Sequence, residues 1–150
     1  MGPAVGRTAR FNDGSGTLRK TFYLASPYHH DRVAVRRRRY RQAVRAAAGL
    51  MASGTLVFSP IVHNHPLVET GLIASSQEYA ARWRFWRAYD FAMLARCQGL
   101  LVLKIPGWEQ SRGVNAELKE ARRLGKPVGY VDPRSLAITW ESSTQRRRER

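Results

Sequence analysis

The sequence is poor in cysteine. Cys97 is the single one in 150 residues, which excludes an intramolecular disulfide and any zinc site built on several thiolates. A chain that forgoes disulfides fits a reducing cytoplasm. Long apolar runs are also missing. No stretch approaches the roughly 20 residues needed to cross a bilayer, so no membrane association is expected. Met1 to Gly16 lack the apolar region of a secretory signal, which gives the expectation of a cytoplasmic protein. Acidic residues are scarce: 11 Asp and Glu stand against 26 Lys and Arg, a formal net charge of +15. A field of that sign attracts phosphates, on a nucleic acid or on a small nucleotide. It serves equally as a solvated helix face with a basic tail. No Walker loop is present, because Gly125-Lys126 runs into Pro127. Gly14 and Gly16 precede the first strand instead of following it, which excludes a dinucleotide fingerprint. No zinc finger, helix-turn-helix or aromatic RNA-binding motif is found. His63 and His65 have no cysteine or close carboxylate to complete a metal site. No metal and no cofactor is expected.

What is present is an alternation. Thr21-Phe22-Tyr23-Leu24-Ala25 reads as a buried strand ended by Ser26-Pro27. Asp31 is placed to cap the helix that follows, in which Val33, Tyr40, Val44, Ala47 and Met51 recur at helical spacing. Gly54 is placed to end it. Thr55 to Phe58 reads as a second strand, and the segment with His63, His65 and Pro66 as a loop. Ser75 and Glu78 have the spacing of a capping box for a long helix running to about Cys97. Leu100 to Leu103 is a third strand, Arg112 to Leu124 a helix, and Pro127 to Val131 a fourth strand. Strands apolar throughout are those covered on both faces. The expected fold is therefore α/β: a Rossmann-like or flavodoxin-like parallel sheet of four or five strands with helices on both faces. The expected division is a flexible segment over 1–17, an α/β domain over 18–133 and a basic tail over 134–150.

In such sheets ligands lie beyond the carboxyl ends of the strands. That directs attention to Tyr23 to His30, with Ser26 among them, to Ser59 to His65, and to Ile105 to Glu117. The last stretch carries the most chemistry. Ser111 is placed as an N-cap, and the free N–H groups of the next turn suit a phosphate or carboxylate. Gly113 lets a backbone approach a ligand closely. Glu117 lies about one and a half turns further on. By spacing alone, Ser111 is equally a plain cap, and Glu117 reads first as a surface glutamate paired with a neighbouring basic residue. Trp83, Phe85, Trp86 and Trp108 can wall a pocket or pack the core, and Cys97 reads as a buried packing residue.

Five segments in order carry a resemblance: Tyr23-Leu24-Ala25-Ser26-Pro27-Tyr28; Val57-Phe58-Ser59-Pro60-Ile61; Trp83, Trp86 and Asp90; Gly107-Trp108-Glu109-Gln110-Ser111-Arg112-Gly113-Val114 with Glu117; and Gly125-Lys126-Pro127. Over about residues 20–131 the chain resembles the DUF1937 family of bacteria and phages. That family is similar to the nucleoside 2-deoxyribosyltransferases and the 2′-deoxynucleoside 5′-phosphate N-hydrolases. The resemblance implies that Glu117 is the nucleophile attacking the anomeric carbon, that Tyr23 orients it, and that Asp90 lies near sugar and base. It implies a phosphate-binding role for Ser111; beside it, Ser26, Gly113, Arg112 and Trp108 are expected as further substrate-binding residues from their place in the chain. A serine at 111 and the positive charge favour a 5′-monophosphate, because an acidic residue there would repel it. Gln98 stands where relatives often carry an aspartate, which implies an altered base or sugar preference.

The implied activity is cleavage of an N-glycosidic bond, or deoxyribosyl transfer, on a small-molecule nucleotide or nucleoside. The implied assembly is a homo-oligomer. The rival reading is a nucleotide- or nucleic-acid-binding Rossmann-like module without catalysis, partnering nucleic acid through its basic surface.

Overall fold

The computed structural model describes residues 19–73, 79–142 and 144–145. The elements run β1 (Thr21–Ala25), α1 (Val33–Ala52), β2 (Leu56–Phe58), α2 (Pro60–Glu69), α3 (Tyr79–Arg96), β3 (Gly99–Leu103), α4 (Arg112–Arg123), β4 (Val128–Val131) and β5 (Ile138–Trp140). They build one five-stranded sheet in the order β2-β1-β3-β4-β5. The first four strands are parallel, and β5 returns antiparallel to β4. The expected α/β class is therefore the observed one, with one strand reversed. The chain winds outward from β1 to β2, then crosses to β3 on the other side of β1. That reversal opens a crevice at the carboxyl ends of β1 and β3.

Alternation along the central strands divides the core. Leu24, Leu101 and Leu103 point to the face covered by Ala46, Ala47 and Leu50 of α1, with Val62 of α2 packed alongside. Tyr23, Leu100 and Val102 point to the other face, against Leu94 of α3 and Val114, Leu118 and Ala121 of α4. All five residues of β3 are buried, as expected of a strand covered on both sides. Gly125-Lys126-Pro127 has a structural task. Lys126 Nζ donates to the carbonyls of Ala95 (3.1 Å) and Cys97 at the end of α3, where a cation suits the helix dipole. Cys97 itself is buried. Among the described residues no helix is long and apolar enough to cross a membrane.

Four local expectations change. The segment with His63, His65 and Pro66 is helix α2, not a loop. Ser59 caps it by accepting from Val62 N at 3.2 Å, and Pro60 sits in its first turn, where the missing N–H costs nothing. Asp31 does not cap α1; the N-cap residue is Arg32, with no side-chain capping bond. The buried stripe of α1 is Ala43, Ala46, Ala47 and Leu50, while Val33, Val44 and Met51 stay exposed. Small side chains let this helix lie close to the sheet, and the larger ones are turned out. Finally, β5 lies within the stretch assigned to the basic tail. It pairs with β4, and Trp140 packs its ring 5.4 Å from that of Phe22. The 1–17 segment, the Ser75/Glu78 capping box and the arginines from Arg146 onward lie outside the described residues.

Candidate active site

A cavity of about 720 Å³ opens at the crevice and is lined by residues of α1, α2, α3 and α4 and of the loops after β1 and β3. Glu117 lies in it, and its side chain is no surface glutamate, being only 8 % exposed. It occupies the same buried stripe of α4 as Val114, Leu118 and Ala121. A carboxylate in an apolar stripe is expensive to desolvate. Its Oε2 is buried without a hydrogen-bond partner, as are the Tyr23 hydroxyl and Ser26 Oγ. Three buried polar atoms without a protein partner, at the carboxyl end of the sheet, are suited to hydrogen-bond a polar ligand.

The carboxylates of Glu117 and Asp90 interact. Burial holds the Glu117 carboxyl well above its ordinary range, and the negative charge of Asp90 pushes it further; the Tyr23 phenol opposes both. Asp90 is raised to about 6, again chiefly by burial, against the hydrogen bond from Asn64 and the His63 charge. Tyr23 is raised well above the usual phenol range by burial and by the two carboxylates. Phenol and Glu117 carboxylate are thus close enough to feel each other without reaching hydrogen-bond geometry. Each carboxylate disfavours the ionised form of the other, so the pair holds protons more tightly than either acid would alone.

α2 supplies what the loop reading missed. Asn64 Nδ2 donates to Asp90 Oδ1 at 3.0 Å, and its own Oδ1 accepts from His63 Nδ1 at 2.8 Å. His63 stacks on Tyr89, 5.8 Å between centroids, and Asn64 and His65 line the cavity. The available signal was Ser59-Pro60, a capping serine followed by proline, which marks a helix start.

The rim is basic. Arg36 donates to the carbonyls of His30 and Asp31, and Arg39 to that of His29 at 2.8 Å. These bonds tie α1 to the loop after β1 and hold both guanidinium groups at the cavity. Gly107, at φ 94°, makes room for Arg39: a Cβ there would lie 2.5 Å from Nη2. Arg112 also lines the cavity, its guanidinium 4.2 Å above the Trp83 ring.

Ser111 does cap α4, accepting from Val114 N at 3.3 Å, and it also lines the cavity. As an acceptor it keeps its hydroxyl proton to donate. A Cβ on Gly113 would lie 3.8 Å from Glu117 Oε1 and 3.9 Å from Ser111 Oγ. The protein tolerates that atom, so the space kept open there is cavity. Trp83 and Trp86 line the cavity. Trp108 does not: its ring packs 5.6 Å from that of Tyr130 beside the α3–α4 core. Phe85 is 46 % exposed and outside the lining. Gln98 stands at the amino end of β3, accepting from Thr21 N at 2.6 Å, at the opposite end of the sheet from the crevice. Among the described residues no group of three or more His, Cys, Asp and Glu side chains is placed to hold a metal.

Residues 19–132 match the profile of a domain of unknown function, DUF1937. A solved structure characterised as a 2-deoxyribosyltransferase from the psychrotolerant bacterium Bacillus psychrosaccharolyticus is 24 % identical, with 79 % of this chain and 77 % of that chain covered and a TM-score of 0.49. No curated protein matches.

Proposed function

The chain belongs to the DUF1937 family, and we propose that it cleaves the N-glycosidic bond of a small nucleotide, preferentially a 5′-monophosphate, in the cytoplasm. The observation that carries this reading is the buried Glu117 carboxylate beside unpartnered Tyr23 and Ser26, opening into a cavity with an arginine rim. Acid floor and basic rim match the two ends of the substrate. A departing base leaves positive charge at C1′, which a carboxylate stabilises or captures as a glycosyl ester. A phosphate is held by the Ser111 hydroxyl, the α4 N-terminus with its open Gly113, and the guanidinium groups of Arg112, Arg36 and Arg39. The flat Trp83 and Trp86 rings suit the base.

The raised proton affinity of the two carboxyl groups fits this chemistry. As C1′ becomes positive, the ionised form of Glu117 is favoured and the proton passes through Asp90 to the leaving base nitrogen. Tyr23 fixes the carboxylate rotamer for attack. The sugar is then released to water or transferred to a second base.

The test is a panel of nucleosides and their 5′-monophosphates, with free base measured by chromatography. Base release from monophosphates, abolished in Glu117→Gln, is expected. No release from any member overturns the reading. The exposed Phe85 and Tyr89 of α3 offer a face for the homo-oligomer this reading includes; light scattering at the 17.1 kDa of one chain would contradict it.

One observation favours a second reading. α1 carries six arginines and no carboxylate. Arg37, Arg41 and Arg45 are exposed at four-residue spacing, so they repel one another and form one stripe. Such a stripe suits a nucleic-acid backbone. Binding of a labelled oligonucleotide that weakens steeply with salt, and is unaffected by Glu117→Gln, supports the binding module.

A further inference from the structure

Two side chains on the cavity wall, Tyr28 and His65, and Glu69 behind them remain outside the bond-cleaving set. Tyr28 Oη lies 2.5 Å from His65 Nδ1, and His65 Nε2 lies 3.1 Å from Glu69 Oε1. The imidazole is locked in place. Tyr40 stacks on it at 4.0 Å and 21°, and Tyr28 meets it edge-on at 5.6 Å. His65 is 8 % exposed, whereas the Glu69 side chain is 60 % exposed.

The order of the groups fixes the protons. An ionised carboxylate only accepts, so His65 Nε2 carries a hydrogen. In the neutral ring Nδ1 is then the lone pair, and Tyr28 donates to it. The phenol oxygen keeps its own lone pairs. Tyr28 and His65 line the same cavity as Asp90 and Glu117, and Asn64, next to His65 on α2, is the partner of Asp90.

We propose that Glu69, His65 and Tyr28 form a proton relay that activates water against the glycosyl ester on Glu117, making the protein a hydrolase rather than a transferase. The inference rests on the glycosidase reading. In transfer, one acid can serve both directions, since Asp90 protonates the departing base and deprotonates the incoming one at the same place. Water has no base ring to sit where the departing base sat, and hydrolysis gains from a separate base.

The step balances as follows. Water gives a proton to Tyr28 Oη as the Tyr28 proton moves to His65 Nδ1. The resulting hydroxide oxygen bonds to C1′, and the bond from C1′ to the Glu117 oxygen breaks with its electron pair returning to the carboxylate. The imidazolium is paired with Glu69 until it releases its proton to solvent. Burial raises the Tyr28 phenol, the Arg36 charge opposes it and the Glu69 charge adds to it, so Arg36 offsets Glu69 as negative charge develops on the oxygen during the transfer. Tyr28 is the catalytic member; His65 and Glu69 act through it as positioning residues.

The test separates ester formation from its hydrolysis. Tyr28→Phe keeps the ring and the packing. Rapid-quench measurement of base release from a 5′-monophosphate is expected to show a burst of one equivalent retained, followed by turnover slowed roughly 10²–10⁴-fold, the usual worth of general-base help. With a second free base added, the variant shifts product from free sugar phosphate to exchanged nucleotide. His65→Asn, with circular dichroism confirming the fold, gives the same shift, and Glu69→Gln a smaller one. Burst and turnover falling together in Tyr28→Phe, with the product ratio unchanged, overturns the relay while leaving Glu117 chemistry standing. No base release by the unaltered protein overturns both.

Discussion

The two faces of the sheet are built from the same strands and do different work. Toward α1 and α2 the central strands present Leu24, Leu101 and Leu103, and the cluster they form with Ala46, Ala47, Leu50, Ile105 and Val131 is wholly aliphatic. Toward α3 and α4 the same strands present Tyr23, Leu100 and Val102, and the stripe of α4 that covers them includes Glu117. The first face is optimised for burial. The second carries a phenol and a carboxylate with buried, unpartnered atoms, an arrangement that costs stability unless the site uses it. The difference shows that position within a core does not decide function. Unsatisfied polarity does.

The comparison predicts opposite responses to mutation on the two faces. Glu117→Gln is expected to lower base release on the order of 10³-fold or more while thermal stability is unchanged or rises, as measured by product chromatography beside a melting curve. Loss of activity and stability together would erase the distinction. Leu101→Ala, on the aliphatic face, is expected to cost about 2–5 kcal/mol in urea unfolding while activity per folded molecule is kept.

Acidity sharpens the contrast further. Asp90 is raised from 3.8 to about 6 in the folded chain, so between those values the native state binds more protons than the unfolded one. Stability is then fully present below about pH 4 and is lost as pH rises through 6. A shift of this size is on the order of 3 kcal/mol. Glu117, also raised, acts in the same direction. Asp90→Asn is expected to flatten this part of the profile, read as unfolding free energy from pH 4 to 8; an unchanged slope would assign the dependence elsewhere.

The smallest effects come from the two capping serines. Ser59 and Ser111 make the same bond to a backbone N–H three residues on. Replacing either by alanine is expected to cost about 1 kcal/mol of stability. Only Ser111→Ala is expected to raise KM for the monophosphate, because Ser111 lines the cavity and the first turn at Ser59 holds Pro60.

Much of this organisation was legible in the sequence. Four parallel strands and the α4 segment are readable because strong apolar runs and a serine cap are local signals. Tyr23, Ser26, Asp90, Ser111, Arg112, Gly113 and Glu117 are named from the chain, and the structure gathers them around one cavity or, for Tyr23, within electrostatic reach of Glu117. What was missed depends on distance in sequence. α2 was hidden because His63, His65 and Pro66 suggest a loop, and only Ser59-Pro60 announced the helix. β5 is short and half exposed, so its stability comes from pairing with β4 and from Trp140 on Phe22, neither of which is a local property. Trp108 reads as a pocket wall from its neighbours, yet Tyr130 on β4 draws it to the core. The bond from Asn64 to Asp90 spans 26 residues, and no spacing rule anticipates it.

The central claim is a covalent bond at one oxygen. Intact-mass measurement of the protein, quenched by acid during turnover of a nucleoside 5′-monophosphate, tests it directly. The account predicts an added mass equal to one sugar phosphate less one water, mapped to the peptide containing Glu117 and missing in Glu117→Gln. Base release at full rate with the protein mass never changing, and the variant equally active, would contradict it.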